Sequence, residues 1–141
     1  MPSAERFLID TSAAVRIQRP ALWSVWGEAV IHGRVAICEP TEVEMLYSAR
    51  SSREYDELRQ ALGDLYTRCP VPDDAWRRVR DLQQQLVRHG CHRSAGIADL
   101  LVVVTAQWHG LTVLHYDRDF EAVTKVTGQS VRWLAEAGSV D

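Results

Sequence analysis

Close to its beginning the chain has the sequence Arg6-Phe7-Leu8-Ile9-Asp10-Thr11-Ser12, an apolar run that ends in an acid and two hydroxyl residues. A short continuous apolar run is typical of a strand that is buried on both faces. The hydroxyl residues favour a helix start directly after it, so Asp10 is expected at the carboxyl end of the strand. This step from strand to helix is the first indication of an α/β fold.

The same alternation continues along the chain. After a helix that begins at Thr11 and stops before Pro20, the sequence predicts further strands at 35–38, 111–115 and 131–134. Apolar residues and terminal signals predict the other helices, at 21–31, from Pro40 onward, and at 51–67, 72–89, 97–108 and 117–126. Strands that alternate with helices predict a short, mostly parallel sheet with helices on both faces. Ligands bind beyond the carboxyl ends of such strands.

The length and composition suit one globular domain. A chain of 141 residues with 46% hydrophobic and 25% charged residues can bury a single core, which excludes a disordered segment or a fibre. We therefore expect residues 1–141 to form a single domain. No apolar stretch approaches the roughly 18 residues of a membrane-spanning helix. Three cysteines without framework spacing, and no signal peptide, indicate reduced thiols and a cytoplasmic location.

Four carboxylates lie where an apolar run ends or a helix begins: Asp10, Glu44, Asp99 and Asp117. Each alone has a structural explanation, because acids cap helix N-termini and residues 41–44 fit a Thr-x-x-Glu capping box. Together at one sheet edge, two of them ~4 Å apart would repel by roughly 4 kcal/mol at an effective dielectric of ~20. A bound cation removes that repulsion, and Mg²⁺ prefers such oxygen ligands. The common position of the four acids therefore favours a divalent-metal site.

Four short motifs carry a resemblance to a known family. They are Leu8-Ile9-Asp10-Thr11-Ser12-Ala13, Pro40-Thr41-Glu42-Val43-Glu44-Met45-Leu46, Ile97-Ala98-Asp99-Leu100-Leu101 and Tyr116-Asp117-Arg118-Asp119-Phe120. In this order and spacing the chain resembles the PIN-domain ribonucleases over essentially its whole length, and among them the VapC-type toxins of toxin–antitoxin pairs. The resemblance implies a three-layer PIN-like fold.

The resemblance also implies a chemistry. In that family the acids that correspond to Asp10, Glu44, Asp99 and Asp117 converge on one or two Mg²⁺ or Mn²⁺ ions. The expected metal ligands here are Asp10, Asp99 and Asp117, with Glu44 as a further catalytic acid. Water bound to the metal attacks an RNA phosphodiester, which gives endonucleolytic cleavage. The expected partners are the RNA substrate, a VapB-type antitoxin whose basic side chains reach the acids, and a second copy of the toxin in a homodimer.

Two positions keep alternatives open. Glu42 competes with Glu44 for the second acidic position, because the choice depends on where the helix starts. We choose Glu44, which the following Met-Leu step aligns with the Glu-Leu step of the family. His115 stands where the family commonly has Thr or Ser, and it is either a metal ligand or a polar residue that ends a strand.

Three further residues are possible accessories of the site. Ser12 can cap a helix, orient metal or phosphate, or do both. Asp119 binds the metal through water or is an exposed acid in the first turn of a helix. Arg118, like several other arginines near the predicted edge, holds the RNA backbone or is solvated.

Other functions fit the sequence less well. A catalytically silent PIN-like module, which only binds RNA or protein, would be expected to lack the acids, and all of them are present. A phosphatase on a similar sheet would need an Asp-x-Asp nucleophile motif after the first strand, which is missing here. Residues 88–93, Arg-His-Gly-Cys-His-Arg, suggest zinc but lack a distant partner pair. The sequence also has no Gly-rich phosphate loop and no Gly-x-Ser-x-Gly elbow.

Overall fold

The computed structural model describes residues 4–141, which contain one five-stranded sheet in the order β3-β2-β1-β4-β5. Every pairing of neighbouring strands is parallel. The expected α/β class with a short, mostly parallel sheet is therefore confirmed. The strands are β1 (Phe7–Ile9), β2 (Val35–Ile37), β3 (Thr67–Arg68), β4 (Thr112–His115) and β5 (Val131–Trp133).

Helices cover both faces of the sheet. Because successive strand residues point to opposite faces, Phe7 and Ile9 pack into one core with the first, second and fourth helices, whereas Leu8 packs into the other core with the last three. This is the expected three-layer arrangement. The helices are α1 (Thr11–Ala14), α2 (Pro20–Ile31), α3 (Glu39–Leu46), α4 (Ser52–Leu65), α5 (Ala75–Arg88), α6 (Ile97–His109) and α7 (Asp119–Thr127).

The order of the strands creates a crevice between β1 and β4. From β1 the chain builds outward through β2 to β3, then crosses to the other side of β1 and builds outward again through β4 to β5. The connections after β1 and β4 therefore lead away in opposite directions, which opens a site at the carboxyl ends of these two strands. The backbone N–H of Asp10 continues the pairing there and donates to the Leu114 carbonyl at 3.0 Å.

Several predicted boundaries differ from the structure. The first helix, predicted to run from Thr11 up to Pro20, ends at Ala14. The helix predicted over 51–67 ends at Leu65, and Thr67–Arg68 form the edge strand β3, which the sequence did not predict. Apolar periodicity continues up to this point, and a two-residue strand held by backbone pairing leaves no pattern of its own. The helix predicted from Pro72 begins at Ala75, and the one predicted from Asp117 begins at Asp119.

The long apolar run after Gly96 is a helix, as its length predicted. It forms α6, which ends at His109 before Gly110. Gly110 has a φ of +68°, a left-handed conformation that favours glycine after a helix end. Within residues 4–141 no helix combines the length and the apolar character needed to cross a membrane.

Candidate metal centre

Asp10 lies at the carboxyl end of β1 with its side chain only 3% exposed. Its Oδ1 accepts hydrogen bonds from Ser12 Oγ at 2.8 Å and from the Ala13 N–H at 3.3 Å, so the predicted cap of the following helix is confirmed. Burial raises the pKa of Asp10 to about 7, although both hydrogen bonds act in the opposite direction, and the charge of Asp99 adds to the increase. The carboxyl group therefore holds its proton far more tightly than an exposed aspartate.

Asp99 lies in the first turn of α6, where its Oδ2 accepts the Gly96 N–H at 3.3 Å. Burial is the main cause that raises its pKa to about 6, and this hydrogen bond opposes the increase. The charges of Asp117, Glu44 and Asp119 raise it further. Carboxylates from α3, α6 and the segment before α7 are therefore close enough to repel one another.

Asp117 lies in the short segment between β4 and α7. Its N–H donates to His115 Nδ1 at 3.2 Å, and its Oδ1 accepts the Asp119 N–H at 2.9 Å. Asp117 thus organises the turn that precedes α7, rather than serving as the N-cap, a position that Arg118 occupies. The pKa of Asp119 is raised by partial burial and by the neighbouring Asp117.

Glu44 is the glutamate of α3 whose charge acts on this group. Because α3 begins at Glu39 after Cys38, Thr41 lies inside the helix and its hydroxyl donates to the Ile9 carbonyl at 3.4 Å. The capping-box explanation for Glu44 is therefore wrong. Of the two glutamates, only Glu44 contributes to the raised pKa of Asp99.

Each of the three aspartates uses one oxygen locally and keeps the other free. Within residues 4–141, no protein donor bonds to the second oxygen of Asp10, Asp99 or Asp117. Carboxylate oxygens are the type of ligand that Mg²⁺ and Mn²⁺ prefer. In the described part of the chain, however, no three His, Cys, Asp or Glu side chains lie close enough together to enclose an ion. The acids thus form an electrostatic group but not a closed cage, and the possible zinc site at 88–93 is also absent there.

Ser12 connects the ends of β1 and β4. Its Oγ donates to Asp10 and accepts the N–H of Tyr116 at 2.8 Å, so one hydroxyl orients an acid and holds the segment that carries Asp117. Arg118 is exposed and forms no ion pair with another residue of 4–141. It therefore has a side chain available to ligands.

His115 has a role that sequence reasoning missed. The side chain is fully buried, and its ring packs against Phe120 and Trp133, with centroids 5.0 and 4.8 Å away. Burial lowers its pKa to about 4. Because Nδ1 is bonded to a backbone N–H and Nε2 is enclosed, neither ring nitrogen is available to an ion shared by the acids. The only sequence signal was a histidine in place of a small hydroxyl residue.

The α3–α6 surface, formed by Pro40, Val43, Glu44, Tyr47, Ile97, Ala98 and Leu101, lies beside the acids. Its large apolar side chains are unusually exposed, with Tyr47 at 91%, Val43 at 64% and Ile97 at 63%. Adjacent exposed apolar residues are typical of a surface that contacts another molecule.

A family profile described as PIN domain matches residues 7–126. The chain belongs to the PIN-domain family. Similar proteins include Ribonuclease VapC21 of Mycobacterium tuberculosis, which is 36% identical over 134 residues that cover 95% of this chain and 97% of the relative. Ribonuclease VapC51 of the same organism is 36% identical over 138 residues, or 98% of this chain and 99% of the relative.

Solved structures agree with this assignment of the PIN fold. The toxin–antitoxin complex VapBC-5 of Mycobacterium tuberculosis contains a chain with a TM-score of 0.63 and 27% identity, which covers 92% of this chain and 98% of that one. A chain of DNA-bound VapBC from Salmonella typhimurium has a TM-score of 0.76 at 16% identity, covering 94% of this PIN domain and all of that chain. The PIN-like fold and the VapC resemblance predicted from four motifs are confirmed.

Asp10→Asn is expected to stabilise the metal-free protein at pH 8. The pKa of Asp10 is about 7, against an ordinary value of 3.8. Between these values the folded state keeps a proton that the unfolded chain releases, so stability falls as pH rises. Each pKa unit corresponds to about 1.4 kcal/mol, and we expect a gain of about 2 to 4 kcal/mol in the free energy of unfolding.

Urea unfolding in the presence of a chelator, from pH 3.5 to pH 8, measures this gain. It should vanish below about pH 4, where Asp10 is protonated in both states. Asp56→Asn, which removes an exposed acid on α4, is the matched control. Equal stability of wild type and Asp10→Asn across the whole range would contradict the raised pKa.

Proposed function

We propose that this PIN domain is a Mg²⁺-dependent endoribonuclease that acts as the toxin of a toxin–antitoxin pair in the cytoplasm. The observation that carries the proposal is the mutual electrostatic effect of Asp10, Asp99, Asp117 and Glu44 at the crevice between β1 and β4. Relatives named Ribonuclease VapC, matched over nearly their whole length, support the activity. Three free cysteines support the location, and we treat residues 1–141 as one functional domain.

Asp10, Asp99 and Asp117 would hold the ion, Mg²⁺ or Mn²⁺, with their free oxygens. When bound, such an ion neutralises charge on a phosphodiester and lowers the pKa of a water molecule. Ser12 keeps Asp10 oriented, and Asp119 contributes through water. Glu44 is an exposed acid on α3 and can orient water that enters from solvent.

Proton and metal compete for the same carboxyl groups. Since the pKa values of Asp10 and Asp99 are about 7 and about 6, part of the free protein carries protons on these acids near neutrality. Ligand carboxyl groups must lose their protons when a cation binds, so metal affinity rises with pH. His115 stays neutral and buried, and a histidine general base is therefore not part of the proposal.

Arginines offset the repulsion between RNA and the acids. Arg93, in the loop before α6, and Arg118, before α7, are both exposed and form no ion pair within residues 4–141. Arg93 precedes α6, which carries Asp99 in its first turn, and Arg118 directly follows Asp117. Guanidinium groups bind phosphate oxygens without reading the base, so these arginines would hold the RNA backbone.

The proposed protein partners are a VapB-type antitoxin and a second copy of the chain. The VapBC-5 complex, which contains the 27% identical chain, supports the antitoxin. Basic antitoxin side chains would be attracted to the acids and would exclude RNA from them. We assign the second copy to the α3–α6 surface, because an apolar self-complementary contact there would remove Tyr47 and Ile97 from water.

A catalytically silent PIN-like module is the alternative function. It is favoured by the finding that no three potential ligands within 4–141 are close enough to enclose an ion. Calorimetric titration with Mg²⁺ separates the two functions. The nuclease should take up the ion at a defined stoichiometry, whereas the silent module should show no specific uptake.

Asp99→Asn should reduce RNA cleavage at least a hundredfold, because it removes a ligand of the ion that would neutralise transition-state charge. Sequencing RNA ends after brief expression of wild type and variant measures the cleavage and its position. Asp56→Asn, which removes an exposed acid of α4 outside the group of acids, should cleave like wild type. Cleavage by a purified Asp10→Asn/Asp99→Asn protein at the wild-type rate would refute the nuclease site.

Arg93→Ala/Arg118→Ala should bind RNA more weakly and with a smaller dependence on salt. For a single strand, removing one arginine that neutralises a phosphate reduces the slope of log affinity against log salt by about 0.7. Binding is best measured with the Asp99→Asn background, which preserves the RNA. Arg59→Ala on α4 provides the control, and an unchanged salt slope in the double variant would exclude these arginines as RNA-binding residues.

Light scattering of the purified chain at micromolar concentration should give the mass of a dimer. Introducing charge by Tyr47→Glu/Ile97→Glu should give a monomer, because the desolvation of two carboxylates opposes the contact. Val25→Glu, on an exposed part of α2, should leave the dimer intact. A monomeric wild type would count against the second copy.

A further inference from the structure

Asp117 lies between β4 and α7, and three side chains hold the N–H groups of its segment, besides the backbone hydrogen bond from the Phe120 N–H to the Asp117 carbonyl at 3.3 Å. Tyr116 donates its N–H to Ser12 Oγ at 2.8 Å, Asp117 to His115 Nδ1 at 3.2 Å, and Asp119 to Asp117 Oδ1 at 2.9 Å. Because side chains accept these three N–H groups in place of the strand pairing, the position of Asp117 depends in part on the groups that accept them.

The His115 ring has a defined orientation and a defined tautomer. Its backbone carbonyl accepts the Leu134 N–H at 2.7 Å, and Phe120 and Trp133 pack against the ring. Since Nδ1 accepts a hydrogen bond, the neutral ring carries its proton on Nε2. That N–H is buried and has no hydrogen-bond partner among residues 4–141.

A buried N–H without a partner destabilises a protein, and an unpaired group of this kind calls for an explanation. Leucine has a similar volume and would fill the same space without leaving a donor unpaired. What histidine adds at this position is the acceptor Nδ1. Nδ1 therefore holds the Asp117 N–H, whereas the unpaired Nε2–H destabilises the protein locally.

We propose that His115 is a positioning residue, whose Nδ1 holds the Asp117 N–H and thereby orients the Asp117 carboxylate for a divalent cation. The inference rests on the proposed function for the role of Asp117, and it extends that function to a residue that does not touch the ion. The hydrogen bond spans residues i and i+2, the geometry in which Asn and Asp side chains commonly accept a backbone N–H.

Two substitutions separate positioning from packing. His115→Asn keeps an acceptor for the Asp117 N–H but removes most of the ring, so its melting temperature should fall by several degrees. His115→Leu keeps the volume, removes the unpaired donor and removes the acceptor. Its melting temperature should stay within about 3 °C of wild type, since the loss of one hydrogen bond and the loss of one unpaired N–H offset each other.

The affinity for metal should depend on whether residue 115 accepts the Asp117 N–H, and not on the melting temperature of the variant. Groups that orient metal ligands typically change affinity by 10- to 100-fold, so His115→Leu should bind Mn²⁺ about tenfold more weakly than wild type. His115→Asn should bind it within about twofold of wild type. Calorimetric titration of each metal-free protein, residues 1–141, with Mn²⁺ at one pH measures both values. Wild-type affinity in His115→Leu, or an affinity that decreases in the order of melting temperature, would overturn the proposal.

Two measurements without metal keep the inference separate from the proposed function. Nitrogen-15 NMR of the imidazole should show an unprotonated Nδ1 and a protonated Nε2. Hydrogen exchange of the Asp117 amide should be about tenfold faster in His115→Leu than in wild type, and close to wild type in His115→Asn. A wild type that takes up no Mn²⁺ would refute the proposed function, whereas equal Asp117 exchange in all three proteins would refute the positioning by His115.

Discussion

Asp10 continues the pairing of β1 with β4 by donating its N–H to the Leu114 carbonyl, and this brings its carboxyl group into the protein interior. The ionised group is destabilised there, and the two local hydrogen bonds compensate only in part. Asp99 lies close enough to raise the pKa of this buried carboxyl group further, and Glu44 and Asp117 act in turn on Asp99. The free energy stored in their repulsion is what a divalent cation would release on binding.

Capping and ligand binding are compatible because a carboxylate has two oxygens. Asp10 uses one oxygen for the start of α1, Asp99 uses one for the start of α6, and Asp117 uses one for the turn before α7. These hydrogen bonds hold the acids in place and satisfy backbone N–H groups that would otherwise be unpaired. The second oxygens remain available. The structural explanation for each position therefore supports the functional one instead of competing with it.

Much of the fold could be predicted because it depends on strong local signals. The apolar run at β1 and the long buried helix α6 were recognisable from composition, length and the glycine that follows the helix. β3 was not, because a two-residue edge strand owes its existence to pairing with β2. In the site, Asp10, Asp99 and Asp117 followed from their places after strands and at helix starts.

Other parts of the site depend on facts that sequence patterns do not contain. The choice between Glu42 and Glu44 required the start of α3 at Glu39, where a helix boundary is uncertain by a residue or two from sequence alone. The role of His115 required its tautomer, which is set by a hydrogen bond to Asp117 and by the enclosure of the opposite nitrogen. Neither feature can be recognised from the sequence, because each depends on contacts that form only in the folded chain.

The central pairing of β1 with β4 has a consequence for biosynthesis. Leu8 and its partner Val113 are separated by more than a hundred positions, and β1 has only β2 beside it until β4 has been made. Pairings between such distant residues form slowly. Until β4 and the segment after it have been synthesised, Asp117 cannot join the acids that follow β1 or lie on α3 and α6. The group of acids is therefore completed only after β4 has paired with β1.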